Sequence, residues 1–336
     1  GGGRYDLRVN SGAADAEAGP RATRLDLARW LTRPDNPLTA RTFVNRLWAQ
    51  FFGTGLSATL DDLGMQGEPP SHPELLDWLS VRFVESGWDI KALVRLIVSS
   101  GTYRQSAHHR PDLREFDPQN RLLAAQNPRR LDAEFVRDNA LFAAGLLNLE
   151  LGGPSGHPYQ PDGYYASLNF PARRYKADTD DRQYRRGLYM HWQRTFLHPM
   201  LANFDAPSRE ECVAARNLST TPQQALTLLN DPSFVEAARV FAERVLADES
   251  APDFRSRLDR AFTLLLARPA SEREHASLAD FHATQQRHYA ADPASARDLV
   301  SVGLRSASTT TDPAELAAWT QLARVLLNLN ETIVRY

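Results

Sequence analysis

The 336-residue chain is poor in cysteine and lysine: it contains one cysteine, Cys212, and two lysines, Lys91 and Lys176. A single thiol excludes an internal disulfide, a cysteine-based zinc site and an iron–sulfur cluster within this chain. The C-x-x-C-H motif that attaches haem c is also missing from the sequence. We therefore expect no cofactor and no metal in the chain itself.

Long hydrophobic runs and an excess of positive charge are also absent. The longest strictly apolar run, 140–147, spans eight residues, whereas a membrane helix needs about 20. The net charge of −2 provides no positive field for a phosphate backbone. We therefore expect neither a membrane span nor a nucleic-acid partner. With 42% hydrophobic and 24% charged residues, the composition is that of a globular chain with a core.

Proline and small polar residues mark the starts of several predicted helices. Asn36-Pro37 provides an N-cap and a first-turn proline for a helix predicted over 38–52. Thr221–Gln224 has the same N-cap and proline pattern and adds a capping box. Further helix starts are expected at Ser71–Glu74, Asp89, Ser208–Glu211, Asp231-Pro232, Ser271–Glu274 and Asp312–Glu315. Strand signals are confined to 4–9 and 187–192. The pattern predicts a mainly α, multi-helix protein with at most a few short strands.

The helical pattern stops between 148 and 186, where proline, glycine and aromatic residues dominate. Four tyrosines of this stretch are candidates for a ligand-facing role: Tyr159, Tyr164, Tyr165 and Tyr175. The alternative is an ordered loop whose tyrosines pack over helices, and the aromatic content favours order in either case. We therefore predict four regions: an N-terminal extension (1–21), an N-terminal helical part (22–147), an aromatic loop region (148–186) and a C-terminal helical part (187–336).

Histidines and acidic residues do not form a recognisable metal-binding motif. None of the nine histidines belongs to an H-E-x-x-H sequence. His275 and His282 share one face of a predicted helix and are expected to face solvent. The acidic run 178–181 lacks the glycine of a calcium loop, so we expect it to be a solvated face that pairs with Arg182, Arg185 and Arg186 instead.

Polar residues also occur inside strongly patterned segments, where burial would require partners. Arg41 and Asn45 are four residues apart and share one helical face. Asp205 and Arg209 flank the helix start predicted at Ser208. We predict one buried or half-buried polar cluster, formed by Arg41, Asn45, Arg46, Asp205, Arg209 and Arg216. The cluster is either a structural lattice of ion pairs or a cleft that binds an anion or a sugar.

No familiar catalytic motif is present, and the sequence leaves open whether the chain is an enzyme. If the chain is a hydrolase, His72 or Asp205 would serve as general acid or base. Arg209 would then hold an anionic group of the substrate, which would be a carbohydrate or a carbohydrate ester.

Ten short segments carry a family resemblance. They are Arg24–Leu31, Asn36–Arg41, Asn45–Trp48, Ser71–Leu79, Ser99–Ser106, Phe204–Glu210, Thr221–Leu226, Leu229–Pro232, Phe234–Ala238 and Leu327–Glu331. In their sequence and their order along the chain, these segments resemble planctomycete-specific domain one. The resemblance extends from about residue 22 to residue 331.

This resemblance implies a module of unknown function, typically the C-terminal part of large exported planctomycete proteins. Those proteins contain a second unknown domain and a cytochrome-c-type module. The resemblance therefore implies that these modules are partners, that haem c sits on other modules, and that the location is extracytoplasmic, either periplasmic or at the cell surface. It implies no catalytic residues for this chain. Residues 1–4 carry neither an initiator methionine nor a signal peptide, so we expect a piece of a longer or processed protein.

The leading interpretation is an extracytoplasmic helical module that binds the substrate or a partner within a haem-linked protein. That protein would handle external substrates such as polysaccharide. Two alternatives from other classes are a hydrolase acting on carbohydrate or its esters and an architectural cell-surface domain. Paired carboxylates roughly 5–10 Å apart across a cleft would favour the hydrolase, whereas a ligand at the 148–186 region would favour binding.

Overall fold

A computed structural model describes residues 22–335 of the chain, except 109, 110, 114, 167, 169–171, 173 and 195. The described part is mainly α, as predicted: it contains thirteen α-helices and one two-stranded sheet. The predicted N-terminal extension, 1–21, and with it the weak strand signal at 4–9, lie outside the described residues. None of the helices in the described part is long and apolar enough to cross a membrane.

The chain divides into two compact units between Arg104 and Gln105. The helices of unit 1 are α1 (Arg24–Leu31), α2 (Thr39–Phe52), α3 (Pro73–Glu85) and α4 (Ile90–Ser99). The helices of unit 2 are α5 (Ala133–Ala144), α6 (Pro199–Asn203), α7 (Pro222–Asn230), α8 (Pro232–Leu246), α9 (Phe254–Leu266), α10 (Glu272–Ala291), α11 (Pro293–Val300), α12 (Pro313–Leu327) and α13 (Asn330–Ile333). Unit 2 also contains 3₁₀ turns at Pro111–Leu113, Asp181–Tyr184 and Gly187–Tyr189. Its sheet pairs β1 (Arg129–Arg130) antiparallel with β2 (Val334–Arg335).

In unit 1, α2 begins close to the predicted position because Asn36 Oδ1 accepts hydrogen bonds from two backbone N–H groups at the start of the helix. Phe43 of α2 stacks on Phe83 of α3, with ring centroids 4.9 Å apart. The helix predicted after Ser71 is present as α3, but its predicted capping box is wrong. The Ser71 hydroxyl donates to the carbonyl of Leu56 instead, so a contact with a distant part of the chain replaces the local cap.

The centre of unit 2 is the pair α8 and α12, with α5 packed on α8 and with α10 and α11 packed on α12. The face of α8 predicted to point inward is buried and comprises Phe234, Ala238, Phe241 and Val245. The predicted stripe of α12 is buried as well and comprises Leu316, Trp319, Thr320, Ala323 and Leu327. The Thr320 hydroxyl donates to the Leu316 carbonyl at 2.7 Å, which satisfies this polar group in the core. The helical periodicity of the sequence therefore predicted the core correctly.

Several predicted helix starts in unit 2 are confirmed. Thr221 and Gln224 form the capping box of α7, and Ser271 and Glu274 form that of α10. Asp231 caps α8 by accepting a hydrogen bond from a backbone N–H of the first turn. These signals involve residues within a few positions of each other, which is why the sequence alone reveals them.

Two secondary-structure predictions in unit 2 are wrong. No helix begins at Ser208, because 206–221 is a loop. The stretch 187–192 is not a strand: it starts with a 3₁₀ turn, and Met190 forms an isolated bridge with Gly156. Both errors come from local patterns that long-range contacts of the folded chain override.

The prediction that His275 and His282 face solvent is also wrong. His275 is buried, and its Nε2 lies 2.9 Å from Asp259 Oδ1. His282 is half-buried between Phe254 and Trp319, with ring centroids 5.1 and 5.0 Å from its own. Burial lowers the pKa of His282. The reason is that α10 packs against α12, a contact that its weakly apolar sequence does not indicate.

Arg185 ties the start of the 148–186 region to its end. The guanidinium of Arg185 donates to the backbone carbonyls of Glu150, Gly152 and Pro154. Gly152 has a φ of +80°, a backbone conformation that glycine adopts without strain. This turn therefore folds around one side chain. Of the three arginines predicted to pair with the 178–181 run, Arg182 does so. The prediction is wrong for Arg185, because its guanidinium binds the carbonyls of this turn. The guanidinium of Arg186 lies 5.7 Å from the centroid of the Tyr189 ring.

The predicted N-terminal helical part, 22–147, extends across the boundary between the two units. Its last helix, α5, packs on α8, and Asn139 Nδ2 donates to the Thr332 carbonyl at 3.1 Å. Just before α5, β1 pairs with β2 at the end of the described chain. The structure therefore assigns 105–147 to unit 2.

Candidate functional site

A cavity of about 420 Å³ lies in unit 2, where a loop segment, α6, α7 and the start of α8 meet. Its volume is within the range of roughly 300–1,000 Å³ that is typical of small-molecule sites. Apolar side chains of its lining belong to Pro161, Pro199, Met200, Leu226 and Pro232. Polar side chains belong to Tyr159, Gln160, Asn203, Gln223, Thr227, Asn230 and Asp231. We call it the Gln160 cavity. Its lining can cover apolar faces of a molecule and form hydrogen bonds with its edges.

Gln160 lines this cavity, and its amide makes no hydrogen bond within the described part of the chain. Both Nε2 and Oε1 are shielded from solvent, and neither has a hydrogen-bond partner among the described residues. An unpaired buried polar group of this kind costs on the order of 1–3 kcal/mol. Because the amide has no bonds to lose, turning towards a bound molecule would cost it little beyond a rotamer change.

His198 fixes the backbone beside Gln160. This histidine precedes α6 and is buried, and its Nδ1 accepts the N–H of Met200 at 3.3 Å. The proton of the neutral ring is therefore on Nε2, which donates to the Tyr159 carbonyl at 2.6 Å. Burial lowers the pKa of His198, so the ring is neutral at neutral pH. The loop segment at the cavity is thus held against α6.

A buried carboxylate holds the same loop segment through the side chain of Tyr159. Glu236 of α8 accepts hydrogen bonds from the hydroxyls of Tyr159 and Tyr184, at 2.9 and 2.7 Å. It also accepts the backbone N–H of Arg305 at 2.7 Å. Burial, together with the carboxylate, raises the pKa of both tyrosines, so they remain hydrogen-bond donors. Backbone and side chain of Tyr159 are therefore both anchored.

Of the four candidate tyrosines, Tyr159 lines the Gln160 cavity. The hydroxyls of Tyr164 and Tyr175 donate to backbone carbonyls, and Tyr165 is buried with its ring edge-on to Tyr175 at 5.5 Å between centroids. These contacts favour a packing role for three of the four residues. A ligand-facing role stays a prediction for all of them, and the position of Tyr159 agrees with it.

Asp205 has a different arginine partner from the predicted one. Its Oδ2 accepts from Arg130 Nη2 at 2.7 Å, and the carboxylate also accepts the N–H and hydroxyl of Ser219, both at 2.8 Å. Burial raises the pKa of Asp205, but these hydrogen bonds outweigh burial and hold the pKa below its usual range. Arg209 is exposed, and its guanidinium lies 3.7 Å from the centroid of the Trp192 ring.

Arg216 lines the same cavity as Asp205 but forms its ion pair with another residue. Its guanidinium pairs with the two carboxylate oxygens of Glu134 in α5, at 2.7 and 3.1 Å. Asp205 and Arg216 both line a second cavity, of about 340 Å³, together with Glu210 and Glu211. The structure therefore places Asp205 and Arg216 at one cavity, where each is paired with a different residue.

The other members of the predicted cluster lie in unit 1, where each has a partner. These partners are Asp77 for Arg41, the backbone of Ser57 for Asn45, and the Leu60 carbonyl for Arg46. Asn45 is buried and exchanges two hydrogen bonds with Ser57, each of 2.9 Å. The side-chain amide of Asn45 thus pairs with the backbone of Ser57 and closes the loop after α2. A contact of these residues with Asp205 stays a prediction.

His72 precedes α3 in unit 1, and its Nδ1 lies 3.0 Å from Ser71 Oγ. The Ser71 hydroxyl already donates to the Leu56 carbonyl, so the imidazole is the donor in the contact with Ser71. In this arrangement the ring does not take a proton from the serine, as a nucleophile's base must do. A role for His72 as acid or base stays a prediction.

The described residues contain no group of three or more His, Cys, Asp or Glu side chains that could hold a metal ion. Cys212 is exposed and its thiol is free. Asp231 is the one carboxylate among the described residues that line the Gln160 cavity. The chemistry of this cavity is therefore that of hydrogen bonding and apolar contact, with a single negative charge.

Sequence reasoning did not select Gln160, Gln223 or Asp231 as site residues. A signal was nevertheless present: Thr221-Pro222 and Asp231-Pro232 mark two helix starts close together in the sequence. Helix ends expose polar side chains, and two neighbouring ends can share one surface. The position of Gln160 in an irregular loop has no comparable signal.

The chain belongs to the family described as PSD1: Protein of unknown function (DUF1553), whose profile matches residues 23–282. The match begins before α1 and ends within α10, so it includes the loop segment, α6, α7 and the start of α8. No curated protein and no solved structure matches the chain. Family membership therefore agrees with the resemblance seen in the sequence and assigns no activity.

Proposed function

We propose that unit 2 is a carbohydrate-binding module and that the Gln160 cavity is its binding site. The observation that carries this proposal is the amide of Gln160, which has no partner among the described residues and belongs to a residue that lines a cavity with several polar side chains. Sugars present apolar C–H faces and hydroxyl edges, and this cavity offers groups that complement both. Adjacent hydroxyls can donate to the amide oxygen and accept from the amide nitrogen at the same time.

Binding is favoured over hydrolysis by the number of acids at the cavity. Glycosidases commonly use two carboxyl groups on either side of the scissile bond, whereas Asp231 is the one acid among the described lining residues. One oxygen of Asp231 is also engaged by the backbone of α8. Incubation of the protein with the same sugars, followed by product analysis, tests the hydrolase alternative: new reducing ends would favour it.

The test of binding is calorimetric titration with neutral xylo-, manno-, cello- and galacto-oligosaccharides. We expect one class to bind, and we expect Gln160→Ala to weaken that binding about tenfold or more through loss of two hydrogen bonds. Because the amide is unpartnered in the free protein, Gln160→Ala should leave the melting temperature unchanged or slightly raised. A purely structural glutamine would give the opposite pair of results.

The matched control is Gln285→Ala on α10, which is not among the residues that line the cavity. It should change neither affinity nor melting temperature. Absence of binding to every class, or equal affinity of Gln160→Ala and the unaltered protein, would reject the proposal. An architectural domain would give the first of these results.

The wider setting remains a proposal that rests on the family resemblance. We propose that this module belongs to a longer extracytoplasmic protein that carries a second unknown domain and a cytochrome-c-type module with haem c. In that protein the chain would hold a polysaccharide, and redox chemistry would belong to the other modules. The domain content of the full-length gene product and cell fractionation with an antibody to this chain test both statements.

A further inference from the structure

Asp231 places a partly free carboxylate on the wall of the Gln160 cavity. The residue immediately precedes α8, and its Oδ1 accepts the N–H of Ser233 at 2.8 Å. Its other oxygen, Oδ2, accepts no hydrogen bond in the described part of the chain, and the residue is half-buried. Asp231 can therefore offer one charged acceptor to a bound molecule while it caps the helix.

No described residue on the same wall carries a positive charge that would balance this carboxylate. The described lining residues include no Arg, Lys or His. A buried cation, Arg137, donates to two backbone carbonyls and interacts electrostatically with three carboxylates, Asp138, Asp231 and Glu236. One guanidinium shared in this way does not neutralise Asp231, so the cavity keeps a negative potential.

We infer that Asp231 makes the Gln160 cavity selective for neutral or amine-bearing sugars and against sugars that carry a carboxylate or sulfate. This inference rests on the proposed carbohydrate binding. A hydroxyl or ammonium group donates to Oδ2, whereas an anionic group at the same place meets a like charge in a partly desolvated wall. Asp231 is thus a specificity-determining residue, and Gln160 contributes affinity for hydroxyls of any sugar.

Three matched pairs of methyl glycosides isolate the effect of charge: glucoside and glucuronide, galactoside and galacturonide, and mannoside and mannuronide. Each pair differs in one group, a CH₂OH or a carboxylate at the same carbon. Ligand-observed NMR titrations at low salt should give an affinity about tenfold or more higher for the neutral member of the pair that binds best. Methyl glucosaminide should bind at least as well as the glucoside. Added salt should narrow the neutral-to-uronide ratio.

Asp231→Asn removes the charge and keeps a side-chain oxygen that caps α8. In this variant we expect the neutral-to-uronide ratio to fall to within about twofold. Gln223→Lys is a second variant that does not depend on the cap, because Gln223 is exposed at the start of α7 on the same cavity. It should reverse the preference towards the uronide. Gln285→Lys on α10 adds the same charge away from the cavity and should leave the ratio unchanged.

The outcomes separate this inference from the proposal on which it rests. A ratio near ten that falls in Asp231→Asn supports both, and a reversal in Gln223→Lys shows in addition that the sugar binds at this cavity. Neutral and acidic members that bind equally, or a ratio that Asp231→Asn does not change, overturn the inference and leave carbohydrate binding intact. If no glycoside or oligosaccharide binds to the unaltered protein, both statements are overturned.

Discussion

Several buried or half-buried arginines of this chain bind backbone carbonyls rather than carboxylates. Arg137 donates to the carbonyls of Gln183 and Arg185, and Arg324 donates twice to that of Leu229. A planar guanidinium with five donors suits this task, because it can satisfy several acceptors of one loop at once. The chain has 37 arginines and two lysines, so this use falls almost entirely to arginine. Backbone acceptors carry no sequence signature, so composition cannot reveal this use.

Asp205 and Arg130 form an ion pair that should show strong energetic coupling. Both side chains are mostly shielded, and Arg130 also donates to the Ser219 and Phe204 carbonyls. We expect Asp205→Asn to lower the free energy of unfolding by about 2–3 kcal/mol, because the guanidinium loses its counter-charge. Asparagine suits the backbone at this position, where φ is +61°, so the substitution does not add strain.

Urea denaturation of the double-mutant cycle with Arg130→Met measures this coupling, which we expect to be about 1–3 kcal/mol. The cycle with Arg209→Met is the matched control, since Arg209 is exposed and stacks on Trp192. Its two substitutions should be additive to within about 0.5 kcal/mol. A larger coupling with Arg209 than with Arg130 would restore the partnership that the sequence suggested and contradict the one described here.

At the scale of secondary-structure elements, the sequence correctly predicted the helix features that depend on residues close together in the chain. The starts of α7, α8 and α10 follow from caps and prolines within one turn, and the inward face of α8 follows from helical spacing. The predicted helix at Ser208 failed for a long-range reason. Asp205 binds Ser219 and so closes the intervening loop, and Arg209 has a φ of +63°, which a right-handed helix does not allow.

The candidate site could be predicted only in part. Tyr159 was selected because aromatic residues cluster in 148–186, and it does line the cavity. Gln160 and Asp231 were not selected, since their roles depend on how a loop and two helix ends meet in space. The aromatic signal indicated a segment that contributes to the cavity, and packing determines which of its side chains reach the cavity.

The buried imidazole of His198 should make stability depend on pH. Burial lowers its pKa in the folded protein below the unfolded value of about 6.5. As pH falls, the unfolded chain therefore binds a proton at this histidine before the folded protein does. The contribution of neutral His198 to the free energy of unfolding is complete above about pH 6.5 and is lost as pH falls below that value. In His198→Gln, we expect thermal melts between pH 7.5 and 5 to show a smaller loss of stability than in the unaltered protein.

His288→Gln on α10 is the control for this measurement, because His288 is exposed. It should keep the full pH dependence. His282 has a pKa lowered by burial as well, so some dependence should persist in His198→Gln. Identical pH profiles of His198→Gln and the unaltered protein would show that His198 does not resist protonation. They would also argue against its hydrogen bond from Nε2 to Tyr159 as the anchor of the cavity wall.

At the scale of the whole molecule, the position of α5 decides where the chain can be divided. The sequence pattern suggested an interruption after residue 147, because the helical signal stops there. In the structure, α5 packs on α8, and Arg216 pairs with Glu134 of α5. The sheet of β1 and β2 adds a further link between the start and the end of unit 2. A long loop in the sequence therefore does not coincide with a boundary between units.

Two fragments test this division directly. The fragment 105–336 contains every described residue of the Gln160 cavity and the whole core around α8, so we expect one cooperative thermal transition. The fragment 148–336 lacks β1 and α5, which exposes apolar surface of α8 and removes the guanidinium of Arg137 from the loop that it holds. The buried side chains of α5 contribute several kcal/mol, comparable with a typical total stability of about 5–15 kcal/mol. We therefore expect 148–336 to aggregate or to melt without cooperativity, as followed by calorimetry and circular dichroism. A cooperative 148–336 fragment with the same melting temperature as 105–336 would place the structural boundary after α5 instead of before it.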